Sequence, residues 1–323
     1  MDDFVLEMRH ITKRFSGVMA LDDVTLCVRR GETLALLGEN GAGKSTLMKI
    51  LSGFYPAGSF EGEILLEGKK KEFANTSQSE KNGISMIYQE LNMHNELTVA
   101  ENLFLGHWKK NRAGIVDWKA LRRDAKQYLD MVGLSFVQPS VKLLTLNPSQ
   151  QQLVAIAKAL ANHPRILVLD EPNSGLDPRA RVEMKELLQN LRSMGKTIVI
   201  SSHILSELAE MCNSIGIMDH GKLVEAGNIE DVMEHVFGGN RIVVSVHGEM
   251  EPAVRMLKEH PQIRVESVGE KEIHISHAMK EEEIAQLIAQ MIQNGIIVTG
   301  FYKEEGNLES LFMQLTGGQE DEN

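Results

Sequence analysis

Cysteine is scarce in this sequence, with only Cys27 and Cys212 among 323 residues. Their separation matches no metal-binding or redox spacing, and a reducing cytoplasm is the natural setting for such a chain. Long apolar runs are also missing: no stretch approaches ~18 uncharged apolar residues, so no membrane-spanning helix is expected. The start, Met1 to Phe4, lacks the basic region and apolar core of a secretory signal.

Positive charge is in the minority, because 34 Lys and Arg residues face 45 Asp and Glu residues, for a net charge of -11. This balance argues against a nucleic-acid partner. The basic run Lys69 to Lys71 is interpreted as a solvated turn. With 42% hydrophobic and 24% charged residues the composition is that of a soluble globular protein. The length suggests about two domains.

Residues 38–45 fit the pattern G-x-x-x-x-G-K-S, the phosphate-binding loop of nucleotide hydrolases. An apolar run that reads as a buried strand, residues 33–37, precedes it, and residues 46–51 read as a helix. Glycines let the backbone N–H groups point at phosphate oxygens, and the helix N-terminus adds partial positive charge. Lys44 is expected to reach the β- and γ-phosphates of a nucleotide, and the Ser45 hydroxyl to bind Mg²⁺. The nucleotide contacts expected from this segment are Gly38, Asn40, Gly41, Gly43, Lys44, Ser45 and Thr46.

A second apolar run, residues 166–169, ends in the carboxylates Asp170 and Glu171. The strand places Asp170 where its carboxylate can be a ligand of Mg²⁺. Glu171 is then the next side chain able to orient and deprotonate an attacking water. A strand that ends in solvated acids is the alternative, but a phosphate-binding loop in the same sheet makes it less favoured.

Three further residues carry weak signals when each is taken alone. His203 ends the apolar strand 197–201, and a lone histidine is usually structural. Gln89 follows another short apolar run. Phe15 lies 29 residues before Lys44 and could stack on an adenine ring, although a place in the core is the simpler interpretation.

The order of periodic segments predicts an α/β fold with a largely parallel, covered sheet. Residues from about 92 to 160 change to helical periodicity, and Asp117 is expected to cap one of these helices. We predict a first domain over 1–237 and a boundary near Gly238 to Asn240. The module 240–317 has the βαββαβ order of a ferredoxin-like α+β unit. Residues 318–323 are expected to be a disordered tail.

The motifs together resemble the nucleotide-binding subunit of an ATP-binding-cassette (ABC) transporter over about residues 3–236. The resemblance implies a P-loop NTPase cassette, with a RecA-like core of mixed sheet and a helical subdomain, that binds ATP and Mg²⁺ and forms a head-to-tail dimer. It also implies roles for particular residues. Gln89 would contact Mg²⁺ and the water, Asp177 would couple the two sites, and His203 would hold the γ-phosphate. The matching features, in chain order, are Phe15, 38–45, Gln89, the helical insert, 146–150, Asp170-Glu171, 174–177 and His203.

The signature segment departs from the family pattern Leu-Ser-Gly-Gly-Gln, because Asn147, Pro148 and Ser149 replace its central residues. Asn147 remains a good N-cap, Pro148 suits a first helical turn, and Gln150 can close a capping box. Pro148 has no N–H, and Ser149 adds a side chain where glycine allows close approach. We therefore expect Asn147, Ser149 and Gln150 to contact ATP across the dimer, but with weakened closure and turnover.

The two halves of the chain resemble different branches of the family. Residues 3 to about 158 resemble sugar-import ATPases, whereas about 160–317 resemble ABC-2-type export ATPases. We favour export through a separate membrane permease, because a single cassette with a C-terminal module fits that architecture. Sugar import is one alternative, and a degenerate regulatory cassette paired with a second ATPase subunit is another. The expected location is cytoplasmic, peripheral on the inner face of the cell membrane, as a homodimer or heterodimer.

Overall fold

A computed structural model describes residues 4–202, 204, 208, 211–237, 241–303 and 308–316. The chain divides into two compact units, one ending at Asn228 and the other starting at Ile229. This division falls before helix Ile229–Phe237, whereas the sequence boundary was placed after it. The expected linker 238–240, His203 and the tail 318–323 lie outside the described residues.

The first unit contains ten strands and six α-helices among its described residues. The strands are β1 Phe4–Phe15, β2 Val18–Arg29, β3 Thr33–Leu37, β4 Glu61–Leu66, β5 Lys69–Lys71, β6 Ile84–Ile87, β7 Ile166–Asp170, β8 Thr197–Ser202, β9 Ser214–Asp219 and β10 Lys222–Asn228. The helices are α1 Lys44–Leu51, α2 Thr76–Lys81, α3 Val99–Leu103, α4 Trp118–Met131, α5 Pro148–Ala161 and α6 Pro178–Ser193.

The main sheet has six strands in the order β10-β9-β3-β8-β7-β6. All neighbours are parallel except β9 and β10, so the predicted mixed sheet is confirmed. Every residue of β3, β7 and β8 is buried, which explains their continuous apolar sequences. Because these strands run in one direction, their carboxyl ends lie along one edge, where the polar residues that follow them meet.

A second sheet, with the order β2-β1-β4-β5, is antiparallel throughout. Apolar and polar residues alternate over 3–9 and 21–29, a pattern that predicts strands, and the first two strands extend further than that alternation. Register shifts occur along β1, and His10 and Asp23 have positive φ angles of 53° and 54°. Such bulges break the two-residue period, so the strands continue where the sequence pattern stops.

The helical segment between β6 and β7 holds α3, α4, a short 3-10 helix Leu143–Thr145, and α5. Asp117 caps α4 as predicted, because its side chain accepts a hydrogen bond from the N–H of Ala120 at 3.0 Å. None of the helices in the described part of the chain combines the length and apolarity that crossing a membrane requires.

The described elements of the second unit are α7 Ile229–Phe237, β11 Arg241–His247, α8 Glu251–Glu259, β12 Ile263–Val268, β13 Glu272–His277, α9 Glu281–Gln293, β14 Ile297–Lys303 and α10 Leu308–Thr316. The four strands form an antiparallel sheet with the order β12-β13-β11-β14. Its two crossover helices, α8 and α9, complete the βαββαβ order of a split βαβ unit. Apolar residues of the sheet and both helices form one core, which includes Val244, Leu257 and Met291.

Candidate nucleotide-binding site

The loop between β3 and α1 depends on glycine at two places. Gly38 and Gly43 have positive φ angles of 153° and 103°. A Cβ atom on Gly38 would lie 2.4 Å from the carbonyl oxygen of Met218, and one on Gly43 would lie 2.7 Å from that of Ala20. Any side chain at either position would collide with the backbone, so the loop keeps the tight curl that presents N–H groups to an anion.

The Lys44 side chain is buried against the same loop, with 5% of its surface exposed. Its ammonium donates hydrogen bonds to the carbonyl oxygens of Gly38 at 2.7 Å and Glu39 at 3.0 Å. Burial lowers the pKa of Lys44 from its usual value, while Glu171 and Asp170 act in the opposite direction. The amine is held by neutral carbonyl groups, which leaves its positive charge to attract phosphate.

Asp170 lies at the end of β7 and accepts two hydrogen bonds on one carboxylate oxygen. The Ser45 hydroxyl donates to Asp170 Oδ1 at 3.0 Å, and the Ser201 hydroxyl donates to the same oxygen at 2.6 Å. Asp170 is only 4% exposed. The structure therefore joins the start of α1 to the ends of β7 and β8 through a buried carboxylate.

Glu171 follows with a φ angle of 51°, in the left-handed region that residues with a side chain rarely adopt. Its N–H donates to the backbone oxygen of Ser201 at 3.2 Å and to the Ser201 hydroxyl at 3.0 Å. These contacts with β8 hold the strained backbone and direct the chain away from the sheet at this point.

A cavity of about 230 Å³ lies over the loop. Its lining residues come from β2, from the phosphate-binding loop and the start of α1, from the segment after β6 and from the end of β7: Ala20, Asn40, Gly41, Gly43, Lys44, Ser45, Thr46, Gln89 and Glu171. Ser45 and Gln89 also line an adjoining cavity of about 610 Å³, together with Asp170. The structure thus brings Gln89 and Glu171, which are 82 residues apart in the sequence, to one cavity.

Phe15 does not line this cavity. Its half-buried ring packs against Tyr55, with ring centroids 5.2 Å apart, and the ammonium of Lys13 lies 4.9 Å from the Phe15 centroid. Lys13 also donates a hydrogen bond to the carbonyl oxygen of Ser59. Packing explains Phe15 in the structure, and its stacking on adenine stays a prediction. His203 lies outside the described residues.

The capping box predicted at the signature segment is confirmed. Asn147 Oδ1 accepts from the N–H of Gln150 at 2.8 Å, and Gln150 Oε1 accepts from the N–H of Asn147 at 3.2 Å. Asn147, Ser149 and Gln150 line a separate cavity of about 640 Å³ with Asp177, which caps α6. Within this chain the signature segment and Asp177 therefore meet each other but do not line the cavity over the phosphate-binding loop.

Ser201 is the residue of this site that the sequence interpretation missed, because the polar residue it singles out is His203, two positions later. The available signal was a serine directly after the apolar residues 198–200, but only the pairing of β7 with β8 shows that Asp170 faces Ser201.

Replacing Ser201 with alanine removes a hydroxyl that bonds both Asp170 and the N–H of Glu171. We expect the free energy of unfolding to fall by about 1–3 kcal/mol, because a buried carboxylate loses a donor. Denaturant unfolding measures this change. The matched control is Ser193→Ala on α6, whose exposed hydroxyl bonds only a helix carbonyl. Equal losses in both variants would contradict the prediction.

The buried lysine on a glycine-dependent loop, the strand that ends in two carboxylates and the parallel sheet define a P-loop nucleotide-binding domain. Comparison with known proteins then gives the family. Residues 21–174 match the family model described as ABC transporter. The chain contains an ATPase domain of the ABC transporter family.

Relatives with similar sequences are named for sugar transport. The chain is 42% identical over 296 residues to the xylose import ATP-binding protein XylG of Geobacillus kaustophilus, covering 88% of this chain and 57% of that protein. It is 46% identical over 225 residues to the L-arabinose transport ATP-binding protein AraG of Geobacillus stearothermophilus, covering 70% and 44%. The chain thus spans about half the length of the curated relatives. These matches favour the import alternative over the export function preferred from the sequence.

A solved cassette has the same fold. The dimeric structure of a post-hydrolysis state of the ATP-binding cassette MJ0796, bound to ADP and Pi, superimposes with a TM-score of 0.60 at 27% identity. The match covers 69% of this chain and 98% of that one. The predicted cassette fold is therefore confirmed.

Proposed function

We propose that this chain is the ATP-hydrolysing subunit of a sugar importer and that it works on a separate membrane permease. The observation that carries the proposal is the single cavity lined by Lys44, Ser45, Gln89 and Glu171, with Asp170 bonded to Ser45 behind it. The names of the relatives supply the direction and the substrate class. They include both xylose and arabinose transport proteins, so the substrate proposed is a sugar without further specification.

ATP fits the phosphate-binding loop on structural grounds. The loop has no room for side chains at Gly38 and Gly43, and Lys44 is the buried cation beside it. We assign the triphosphate to this loop and to Lys44, with Asn40, Gly41 and Thr46 as further contacts.

Mg²⁺ fits the oxygen atoms beside the loop. Ser45 and Asp170 are within hydrogen-bond distance of each other, and Gln89 lines the same two cavities as Ser45. A set of one carboxylate, one hydroxyl and one amide oxygen suits Mg²⁺, which binds proteins through one or two carboxylates and takes its other ligands from phosphate and water. When bound, the ion supplies charge neutralisation at the phosphate oxygens.

Glu171 is the proposed general base. It lies in the cavity with Lys44 and Gln89, at a backbone position fixed by Ser201. Its carboxylate would accept a proton from water as that water attacks the γ-phosphate, and Gln89 would orient the water. We assign His203 to the γ-phosphate by the family resemblance.

A second cassette is the proposed partner at the nucleotide. In this chain Asn147, Ser149, Gln150 and Asp177 share one cavity, and the phosphate-binding loop has another. A head-to-tail dimer would bring the signature segment of one subunit to the nucleotide of the other, and the dimeric form of the similar cassette supports this arrangement. Two partners fit this arrangement, a copy of this chain and a distinct subunit, and a heterodimer would explain how a degenerate signature is tolerated.

The altered signature is proposed to slow turnover. The side-chain oxygen Oδ1 of Asn147 already accepts a hydrogen bond from the N–H of Gln150, and Pro148 offers no N–H to phosphate. We expect the triple variant Asn147→Ser, Pro148→Gly, Ser149→Gly to raise ATP turnover about 10-fold, a gain of about 1.4 kcal/mol in transition-state stabilisation, as expected for about one added hydrogen bond to a charged group. Steady-state phosphate release measures it, with Gln151→Ala as a control on the same helix. An unchanged rate would contradict the proposal.

The function itself is tested by tagging the chain, solubilising its native membranes gently and identifying what co-purifies. Recovery of a sugar-type permease with a solute-binding protein supports import. An export permease would overturn the direction, and a second cassette with an intact signature would select the heterodimer. A Lys44→Ala chain carrying the same tag serves as the control for dependence on nucleotide binding.

A further inference from the structure

Residues 107–123 form a region of unusual charge that the nucleotide site does not use. They contain six Lys and Arg residues and one Asp, in a chain whose net charge is -11. The region consists of a loop from His107 to Asp117 and the first turns of α4, and we call it the basic hairpin. Apolar Trp108, Ile115 and Trp118 lie among its basic residues.

The basic hairpin is held by its own backbone. The N–H of Asn111 donates to the carbonyl of Ile115 at 2.8 Å, and Asn111 Oδ1 accepts from the N–H groups of Ala113 and Ile115 at 2.9 and 3.1 Å. The N–H of Asp117 donates to the carbonyl of Lys109 at 2.9 Å. These bonds fix a closed turn with Ile115 near its tip.

Apolar side chains on this turn are exposed to solvent. Ile115 is 65% exposed and Trp118 is 45% exposed. The ring of Trp108 packs edge-on against that of Trp118, with centroids 5.8 Å apart, which joins the base of the turn to α4. A binding partner that covers this turn must offer an apolar region for the tryptophan and isoleucine side chains and negative charge for the basic ones.

Half of the positive charge is uncompensated. Lys109 and Arg123 pair with Asp124, whose pKa these contacts lower. Arg122 interacts electrostatically with Glu101. Lys110, Arg112 and Lys119 are all exposed, and within the described residues no ion pair joins any of them to a carboxylate. Three cations thus share this region with an exposed apolar tip.

We propose that the basic hairpin binds the anionic surface of a lipid bilayer. Basic side chains are attracted to anionic headgroups, and tryptophan and aliphatic side chains insert at the boundary between headgroups and acyl chains. The run Lys69 to Lys71 offers a contrast, because it has no apolar neighbours of this kind and Lys70 lies 3.7 Å from a carboxylate oxygen of Glu63. A basic hairpin on the membrane would add a lipid contact to the permease contact of the proposed function.

The test uses the full chain and protein-free vesicles, without nucleotide or permease. We expect the chain to float with vesicles of phosphatidylglycerol and phosphatidylcholine and not with pure phosphatidylcholine. The variant Lys110→Ala, Arg112→Ala, Lys119→Ala should lower the partition coefficient about 100-fold, because each basic residue near the surface contributes about a fivefold factor. The control Lys69→Ala, Lys70→Ala, Lys71→Ala removes the same charge elsewhere and should retain most of the binding.

The apolar part has its own test. Ile115→Ser leaves the charge unchanged and should weaken binding to the anionic vesicles several-fold, with the loss persisting at raised salt, whereas the charge variant converges with the parent as salt screens it. Circular dichroism and ATP turnover of each variant check that the fold remains. Three outcomes would each overturn the proposal. The chain could bind neutral vesicles as well as anionic ones, or the two triple charge variants could lose equal amounts of binding. The chain could also bind an acidic peptide or nucleic acid without binding vesicles. All three outcomes leave the ATPase assignment untouched.

Discussion

A Glu171→Gln variant should bind ATP as tightly as the parent chain and hydrolyse it about 10²–10⁴-fold more slowly, because a general base contributes a factor of that size. Glutamine keeps the shape of the side chain and cannot accept the proton. Glu171 lies in the cavity with Lys44 and Gln89, while its backbone is held by Ser201. The substitution leaves those backbone contacts in place. Equilibrium ATP binding and single-turnover phosphate release measure the two effects separately.

The matched control is Glu61→Gln, an exposed carboxylate at the start of β4 and outside the lining of the cavity. It should leave both binding and turnover within about twofold of the parent, as surface substitutions usually do. Turnover by Glu171→Gln at a rate comparable to the parent would remove Glu171 from the role of base. A loss of binding equal to the loss of turnover would instead point to damage of the loop.

Local signals predicted the parts of the site that a short segment determines. Glycine spacing around Lys44 predicted the strand–loop–helix geometry, because the tight turn is a property of consecutive residues. The capping of α5 by Asn147 and of α4 by Asp117 followed from residues three positions apart. In each case the partners lie within one helical turn, so sequence spacing is enough.

Contacts between distant segments could not be predicted in the same way. Ser201 matters because β8 pairs with β7 in a register that sets it opposite Asp170, and no spacing within either strand contains that register. The packing of Phe15 on Tyr55, across 40 residues, is of the same kind. The bulge at His10 also concealed the true length of β1, since one inserted residue reverses which positions are apolar.

Local motifs also fail to predict the direction of transport. The groups proposed to hold and cleave ATP would serve import and export alike, so the loop, Asp170 and Glu171 carry no information about direction. The architecture of one cassette with a C-terminal module led to a preference for export. Similarity over most of the chain to proteins named for xylose import and arabinose transport favours sugar import instead. Overall similarity, which averages many weak signals, was more informative here than the domain count.

A Lys44→Ala variant should lose ATP binding itself, with Kd rising about 100-fold. Charge-assisted hydrogen bonds contribute about 1.5–3 kcal/mol each, and the lysine is placed to reach two phosphate groups. Its ammonium is the buried cation that bonds Gly38 and Glu39, so its removal takes away both the charge and two bonds that shape the loop. Isothermal titration with a non-hydrolysable ATP analogue measures the affinity.

Lys81→Ala is the matched control, since Lys81 is an exposed lysine at the end of α2 that lines neither the cavity over the loop nor the adjoining one. It should change affinity less than threefold, about 0.6 kcal/mol. Lys44→Arg separates charge from shape: arginine keeps the positive charge but is a planar, longer group that a closed loop cannot accommodate, so it too should bind weakly. Thermal unfolding of each variant without nucleotide shows whether the fold remains. If Lys44→Ala were folded and bound the analogue within threefold of the parent, the loop would not be the phosphate site. The roles assigned to Ser45 and Glu171, which both depend on phosphate bound at that loop, would then fail as well.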